Sequence, residues 1–182
     1  MSEKTLFFNH INTSWTLFLD RDGVINQRIY DGYVRSIEEF VLIAGVKEAL
    51  GIFRSVFGRI IVVTNQQGIG KGLMTESDLK SIHDYMLKEL NYTIDRIYYA
   101  PYLVADNHPF RKPNIGMAEA AQKDFSDIDF QKSIMVGDSS SDMAFGRKAG
   151  MKTVFVGNEE THTQPDMYVN SLYEFACMLK NR

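Results

Sequence analysis

Residues 15–24 read WTLFLDRDGV, an apolar run that ends in two aspartates and a glycine. The first five residues are almost wholly apolar, as expected of a β-strand that is buried on both faces. Asp20 and Asp22 follow at the point where this strand ends. Because Asp and Gly favour turns, these residues alone could mark no more than a strand end. The rest of the chain decides whether they carry chemistry.

After this strand, β-rich runs alternate with amphipathic helical stretches. Strands are predicted at 59–64, 96–100, 133–136 and 152–156, and helices at 46–57, 75–90, 115–125, 140–149 and 171–180. Thr75 is a predicted helix cap. The alternation predicts βαβ units with right-handed crossovers. We therefore expect an α/β fold, a Rossmann-like three-layer sandwich with a central parallel sheet, formed as a single domain by residues 1–182.

The composition of the chain excludes several classes of function. Its 182 residues are 45% hydrophobic and 24% charged, as in ordinary globular proteins. The net charge of −3 gives no overall attraction to nucleic acid or to an anionic membrane, so we expect neither as a partner. Cys177 is the only cysteine, which rules out an internal disulfide and a multi-thiolate metal site. With no signal peptide or membrane-spanning run recognised, we expect a cytoplasmic monomer.

Polar residues follow three of the predicted strands, at the sheet edge where parallel α/β proteins bind ligands. They are Asp20 with Asp22, Thr64 with Asn65, and Asp138, and Lys112 lies in a nearby loop. One carboxylate can attack phosphorus, and a second can act as acid and base. A hydroxyl, a lysine and a carboxylate-bound Mg²⁺ can stabilise the charge on the phosphoryl oxygens. The set predicts phosphoryl transfer.

These motifs resemble those of the haloacid dehalogenase (HAD) superfamily. The matching segments are DRDGV at 20–24, IVVTN at 61–65, Lys112, and GDSSSD at 137–142. The resemblance implies that Asp20 is the nucleophile and Asp22 the acid and base. It also implies a Mg²⁺ site formed by Asp20, the backbone carbonyl of Asp22, and Asp138. Asp142 is expected to steady the metal-binding loop or to cap the helix that follows.

The spacing of the motifs leaves no room for a separate cap domain, so loops 26–39 and 101–113 should shape an open pocket. Further segments are similar to the family of heptose 1,7-bisphosphate and histidinol-phosphate phosphatases, and more closely to the heptose enzymes. They include GYV at 32–34, IYY at 97–99 and RKPNIGM at 111–117. The resemblance implies a small phosphorylated sugar as substrate, with Arg111 on its second phosphate. The other expected substrate-binding residues are Tyr33, Thr64, Asn65, Gln66, Gln67 and Lys112.

The chain departs from this family in two places. The family usually carries a zinc loop with one His and three Cys, and the corresponding positions here are roughly Ala100, Tyr102, His108 and Phe110. Because one histidine cannot hold zinc, we expect a loop that is organised without metal. The family also tends to have a basic residue after the Gly-Asp of the last motif, where this chain has Ser139.

The sequence leaves other functions open. One is a histidinol-phosphate phosphatase, and another is a polynucleotide 3′-phosphatase, although the acidic balance of the chain opposes the latter. A non-enzymatic phospho-receiver domain also uses a strand-end aspartate, Mg²⁺, a threonine and a lysine, but it has no need for Asp22. The segment GIGKG at 68–72 lacks the Walker A spacing and is predicted to be a flexible lip or a plain loop. His83 is predicted to be structural.

Overall fold

The computed structural model describes residue 8, residues 10–159 and residues 161–181. Its centre is a six-stranded sheet in which every pairing is parallel. The strands are β1 (Thr16–Leu19), β2 (Arg59–Asn65), β3 (Arg96–Ala100), β4 (Ser133–Gly137), β5 (Lys152–Val156) and β6 (Met167–Val169). Their order is β3-β2-β1-β4-β5-β6. The strand order therefore reverses between β1 and β4, the position where doubly wound sheets bind ligands.

Helices cover both faces of the sheet. They are α1 (Val46–Val56), α2 (Gln67–Gly70), α3 (Glu76–Glu89), α4 (Gly116–Asp124), α5 (Ser140–Ala149) and α6 (Leu172–Lys180). Buried side chains of α1, α3 and α6 form one hydrophobic core with the sheet, and those of α4 and α5 form a second. This arrangement confirms the predicted three-layer α/β sandwich.

The apolar character of β1 follows from its position in the middle of the sheet. Leu17 and Leu19 belong to the first core, whereas Phe18 belongs to the second, and all three are fully buried. Successive side chains of a strand point to opposite faces, so a strand with a core on each side needs apolar residues throughout. The same alternation occurs along β2. The apolar part of residues 15–24 therefore forms the central strand β1.

Two elements differ from the sequence predictions. The pattern does not predict β6, which adds only three residues at the edge of the sheet. The segment 68–72 is not a plain loop, because Gly68–Gly70 lie in the helical turn α2. A Cβ at Gly70 would lie 2.4 Å from the backbone oxygen of Pro101. The lack of a side chain at Gly70 lets α2 pack closely against the chain after β3. Its role is therefore packing and not mobility.

Other local predictions are confirmed. The Thr75 side chain accepts a hydrogen bond from the backbone N–H of Asp78 and begins α3 as its cap. Between β1 and Lys112, the described chain contains only α1, β2, α2, α3, β3, a short 3₁₀ turn and loops, and so no cap domain. Among the described residues, no helix combines the length and the apolar character needed to cross a membrane.

Candidate active site

A cleft of about 540 Å³ lies at the carboxyl ends of the central strands. The predicted site residues that line it are Asp20, Asp22, Tyr33, Thr64, Asn65, Gln66, Gln67, Arg111, Lys112 and Asp138. Asp142 does not line the cleft and is fully buried. The parallel sheet has therefore brought together motifs that are far apart in the sequence.

Lys112 links two carboxylates beneath the cleft. Its ammonium lies 2.9 Å from Asp20 Oδ1 and 2.6 Å from Asp142 Oδ1, and it donates to the Val63 backbone oxygen at 2.7 Å. Burial raises the pKa of Asp20 to about 8, with a contribution from the Asp142 charge that Lys112 opposes. The single positive charge of Lys112 is therefore too little to balance the carboxylates of Asp20 and Asp142.

The same cluster fits a hard cation. Asp20, Asp138 and Asp142 each offer a carboxylate oxygen within 4.8 Å of the others. Burial and the Asp142 charge raise the pKa of Asp138 to about 6, and its buried Oδ1 has no hydrogen-bond partner among the described residues. A Cβ at Gly23, where φ is +87°, would lie 1.9 Å from Asp138 Oδ2. Only glycine lets the two loops approach so closely, and the oxygen ligands suit Mg²⁺.

Asp22 is held in a different environment. Arg21 Nη2 donates to both of its carboxylate oxygens at 2.9 Å. Asn26 donates to Oδ1 and Gln66 to Oδ2, each at 2.9 Å. Burial alone would raise the pKa of Asp22, but the Arg21 charge and these hydrogen bonds outweigh burial and lower it. With 26% of its side chain exposed, Asp22 is an ionised carboxylate that faces the cleft.

Three amide side chains after β2 brace the cleft. Asn65 makes a two-way contact with the Lys112 backbone, accepting from its N–H at 3.0 Å and donating to its oxygen at 3.1 Å. Gln66 also donates to Thr64 Oγ1 at 2.9 Å, and Gln67 donates to the Tyr33 hydroxyl at 2.8 Å. Since these amides already hydrogen-bond to the protein, the substrate-binding roles of Asn65, Gln66 and Gln67 stay a prediction.

Three cationic side chains, those of Arg28, Lys71 and Arg111, also line the cleft. Arg111 donates to the Tyr102 backbone oxygen at 3.2 Å, and the Lys71 ammonium lies 5.3 Å from the centre of the Tyr33 ring. Within the described part of the chain, neither Arg111 nor Lys71 has a carboxylate oxygen within 4.0 Å. Arg28, in contrast, pairs with Asp138 at 3.2 Å. The cleft therefore contains two cations that have no anionic partner.

Sequence reasoning assigns no role to Arg21, Arg28 or Lys71. An arginine between two aspartates in a turn that follows a buried strand could have indicated a buried ion pair for Arg21. Lys71 could have been found from its place directly after α2, beside the predicted pocket. Arg28 lies 110 residues from Asp138 in the chain, and no local pattern indicates that contact.

The loop that replaces the family's zinc site is held by its own side chains. The rings of Tyr102 and His108 stack with their centres 3.4 Å apart. His108 Nδ1 accepts a hydrogen bond from the Phe110 N–H at 3.1 Å, and Asn114 donates to the His108 backbone oxygen at 3.1 Å. These contacts account for the order of the loop without a metal ligand set.

Ser139 and Asp142 work together at the start of α5. Ser139 is the N-cap and accepts from the Asp142 N–H, while Asp142 Oδ2 accepts from the backbone N–H and the hydroxyl of Ser139. This reciprocal cap agrees with the expectation that Asp142 caps the helix. It also explains why Asp142 faces the interior and not the cleft.

Comparison with known proteins shows which family the chain belongs to. A family model described as HAD-hydrolase-like matches residues 109–175. A D-glycero-D-manno-heptose-1,7-bisphosphate 7-phosphatase from Chlorobaculum tepidum is 38% identical over 180 residues, which cover 87% of this chain and 90% of that protein. The α-anomer enzyme from Burkholderia mallei is 42% identical over 155 residues, covering 77% and 78%. A β-anomer enzyme from Helicobacter pylori is 36% identical over 146 residues, covering 78% and 83%.

Solved structures give the same result. The D,D-heptose 1,7-bisphosphate phosphatase of B. bronchiseptica, complexed with magnesium and phosphate, superposes with a TM-score of 0.81 at 26% identity, covering 92% of this chain and 98% of that one. A HAD-like phosphatase from Mesorhizobium loti gives 0.77 at 30% identity, covering 91% and 84%. With its strand-end carboxylates and its lysine in one cleft, the chain belongs to the heptose bisphosphate phosphatase family of the HAD superfamily and is a phosphoric monoester hydrolase.

Proposed function

We propose that this phosphatase hydrolyses a small sugar bisphosphate, D-glycero-D-manno-heptose 1,7-bisphosphate, at its 7-phosphate. The proposal rests on two cations that have no anionic partner among the described residues. They are Arg111 and Lys71, and both line the cleft that holds Asp20. A substrate with a second phosphate would supply the missing anion. A guanidinium suits bidentate phosphate contact, and the relatives' names point to the same substrate.

In this proposal Asp20 attacks phosphorus, the bond to the leaving oxygen breaks, and an aspartyl-phosphate forms. Asp22 gives a proton to the leaving alkoxide and then takes one from the attacking water. Its lowered pKa suits the second step. For the first step Asp22 must carry a proton, and the negative charge of an incoming phosphate raises the pKa of a neighbouring carboxylate in that direction. Thr64 and Lys112 stabilise the transferring phosphoryl group.

The side chains of Asp20 and Asp138 and the backbone carbonyl of Asp22 would hold Mg²⁺. When bound, this ion neutralises charge on the phosphoryl oxygens. The proposal further includes a single domain over residues 1–182, a cytoplasmic location, a monomeric state, and no nucleic-acid or membrane partner. It also includes Asp142 as a supporting residue behind the metal ligands.

Mg²⁺ should raise the melting temperature of the protein more at pH 8 than at pH 5. The pKa values of Asp20 and Asp138 are raised to about 8 and about 6 without a cation. Stability from their protonated forms is complete below the ordinary carboxylate pKa and is lost as the pH rises through these raised values. A cation then replaces the lost protons. Thermal melts with Mg²⁺ and with a chelator at both pH values measure the difference.

The same samples test the loop at residues 100–110. Metal analysis of purified protein should find no stoichiometric zinc, because the stacked pair of Tyr102 and His108 supplies the order that zinc gives elsewhere. One zinc per chain would contradict that description.

A Mg²⁺ shift in melting temperature that is equal at both pH values would contradict the carboxylate site.

The remaining alternatives predict other substrates. Histidinol phosphate carries a cationic amine, which Arg111 and Lys71 would repel. A polynucleotide 3′-phosphate would need a longer basic surface than two cations in a chain of net charge −3. Phosphate release from the heptose bisphosphate, histidinol phosphate and a 3′-phosphorylated oligonucleotide separates the three candidates directly.

Arg111→Ala should weaken hydrolysis of the bisphosphate while barely affecting a small monophosphate. Loss of a charge-assisted phosphate contact typically costs about 1.5–3 kcal/mol, roughly ten- to a hundredfold in binding. In this proposal Arg111 holds the far phosphate of the substrate, so a monophosphate of two or three carbons has no such contact to lose. The measurement is kcat/KM of wild type and variant on both substrates.

Lys71→Ala removes the second cation of the pair without disturbing the Arg111 contact to Tyr102, so it should also weaken hydrolysis of the bisphosphate and spare the monophosphate. If Arg111 only braces the loop after β3, its loss should reduce hydrolysis of both substrates equally and lower the melting temperature. That result would remove the main residue-level reason for a bisphosphate sugar.

A further inference from the structure

A buried histidine lies behind the cleft and outside its lining. His83, on α3, is 7% exposed, and its Nε2 lies 3.2 Å from Arg21 Nη1, 62 residues away in the chain. A guanidinium can only donate, so Nε2 must accept and the ring proton must lie on Nδ1. Burial and the Arg21 charge lower the pKa of His83 to about 3. The ring is therefore a neutral acceptor throughout the working pH range.

Few other groups hold the guanidinium of Arg21 in its orientation. Its side chain is fully buried, and Nη2 makes both contacts with Asp22. Its Nε has no hydrogen-bond partner among the described residues. His83 on one side and Asp22 on the other are therefore the hydrogen-bonding groups that set the rotation of the guanidinium plane.

The direction of that plane matters for Asp22. Nη2 of the guanidinium donates to both oxygens of the carboxylate, so the place of this one nitrogen influences where the two oxygens lie. Asn26 donates to Oδ1 and Gln66 to Oδ2, so Arg21 shares the hold on the carboxylate with two amides. Proton transfer in turn requires a carboxylate oxygen within hydrogen-bond reach of the leaving oxygen.

We propose that His83 is a positioning residue for Asp22: by accepting from Arg21 Nη1, it orients the guanidinium whose Nη2 holds the Asp22 carboxylate toward the cleft. This inference rests on the proposed role of Asp22 as acid and base. The competing description is that His83 only fills the core beside Tyr99, whose ring centre lies 6.2 Å away. The two descriptions differ in the step of the reaction that a substitution should affect.

The test uses His83→Leu, which removes the acceptor, and His83→Gln, whose side-chain oxygen can replace Nε2. Their kcat and KM are measured on an alkyl phosphate and on p-nitrophenyl phosphate, a substrate with a good leaving group that needs little protonation. Asp22→Asn serves as the reference and should lose on the order of 10²–10⁴-fold in kcat/KM on the alkyl phosphate and far less on the aryl phosphate, because kcat/KM reports the step in which the leaving group departs. The value of kcat also contains the second step, in which Asp22 serves both substrates alike.

His83→Leu should show the same pattern in weaker form, with a loss in kcat/KM of about tenfold on the alkyl phosphate and under about threefold on the aryl phosphate, because misplacement weakens proton transfer without abolishing it. His83→Gln should recover most of the loss. Ile82→Val, a conservative change at the preceding buried position, controls for disturbance of the core and should show no difference between substrates. If His83→Leu does not fold, His83→Met removes the acceptor with a more adaptable side chain.

Equal losses of His83→Leu on both substrates, or no recovery in His83→Gln, would overturn the inference while leaving the role of Asp22 intact. Equal losses of Asp22→Asn on both substrates would overturn the proposed role of Asp22, and the inference with it. The two failures are thus distinguished by which variant lacks the leaving-group dependence.

Discussion

Asp20→Asn should abolish phosphatase turnover and leave the protein folded. Asparagine keeps the shape of the side chain but cannot attack phosphorus, so we expect a loss on the order of 10⁴-fold or more in kcat. The metal-free variant should melt at or above the wild-type temperature, because the raised pKa of Asp20 marks an unfavourable buried charge that asparagine lacks. Lys112 keeps Asp142 and the Val63 oxygen as partners.

The measurement is phosphate release together with thermal melts in the presence and absence of Mg²⁺. Asp84→Asn provides a matched control, since Asp84 is an exposed aspartate on α3 whose ion pair, among the described residues, is with exposed Lys80. It should change neither property. Appreciable turnover in well-folded Asp20→Asn would refute the aspartyl-phosphate mechanism, because no other residue is proposed to attack.

Lys112→Met should damage both activity and stability. The ammonium donates to the Val63 oxygen and pairs with Asp20 and Asp142, and the side chain is almost wholly buried. Loss of a preorganised charge of this kind typically costs about 10²–10³-fold in kcat. Removing one partner of a buried ion pair typically destabilises a protein by about 3–5 kcal/mol. Both substrates, the bisphosphate and the monophosphate, should be affected alike.

The stability loss of Lys112→Met should shrink as the pH falls. Without the lysine, Asp20 loses its cationic partner, and at low pH this buried carboxylate can take up a proton and lose its charge. Urea unfolding at pH 5 and pH 8 measures this difference. Lys71→Met, at a cleft lysine without a carboxylate partner, should leave stability unchanged at both pH values. A Lys112→Met variant as stable as wild type at pH 8 would contradict the buried ion pair.

Much of the fold could be predicted because its signals are local. An apolar run without alternation indicates a strand buried on both faces, and β1 has that position. Helical periodicity and the Thr75 cap predict α3. The edge strand β6 is too short for a pattern of its own, and the glycines of α2 suggest a loop where packing against Pro101 stabilises a helical turn.

The residue types and order of the candidate site were likewise present in the sequence. Asp20, Thr64 and Asp138 each lie at the carboxyl end of a strand, and a parallel sheet brings such ends to one edge whatever the details of the loops. That general rule, together with the resemblance to HAD phosphatases, is why Asp20, Asp22, Lys112 and Asp138 could be chosen before any coordinates. They meet in one cleft in the structure.

The sequence by itself determined the layered α/β fold, the sheet edge that carries the site and the chemical groups at that edge. Only the tertiary structure decided which of these groups are partners. Lys112 joins Asp20 to Asp142, Arg28 reaches Asp138, and Arg21 connects His83 to Asp22. The physical reason is the separation of the interacting residues along the chain. Strand and helix patterns come from neighbours a few residues apart, whereas these hydrogen bonds depend on ångström-scale placement of side chains from distant loops.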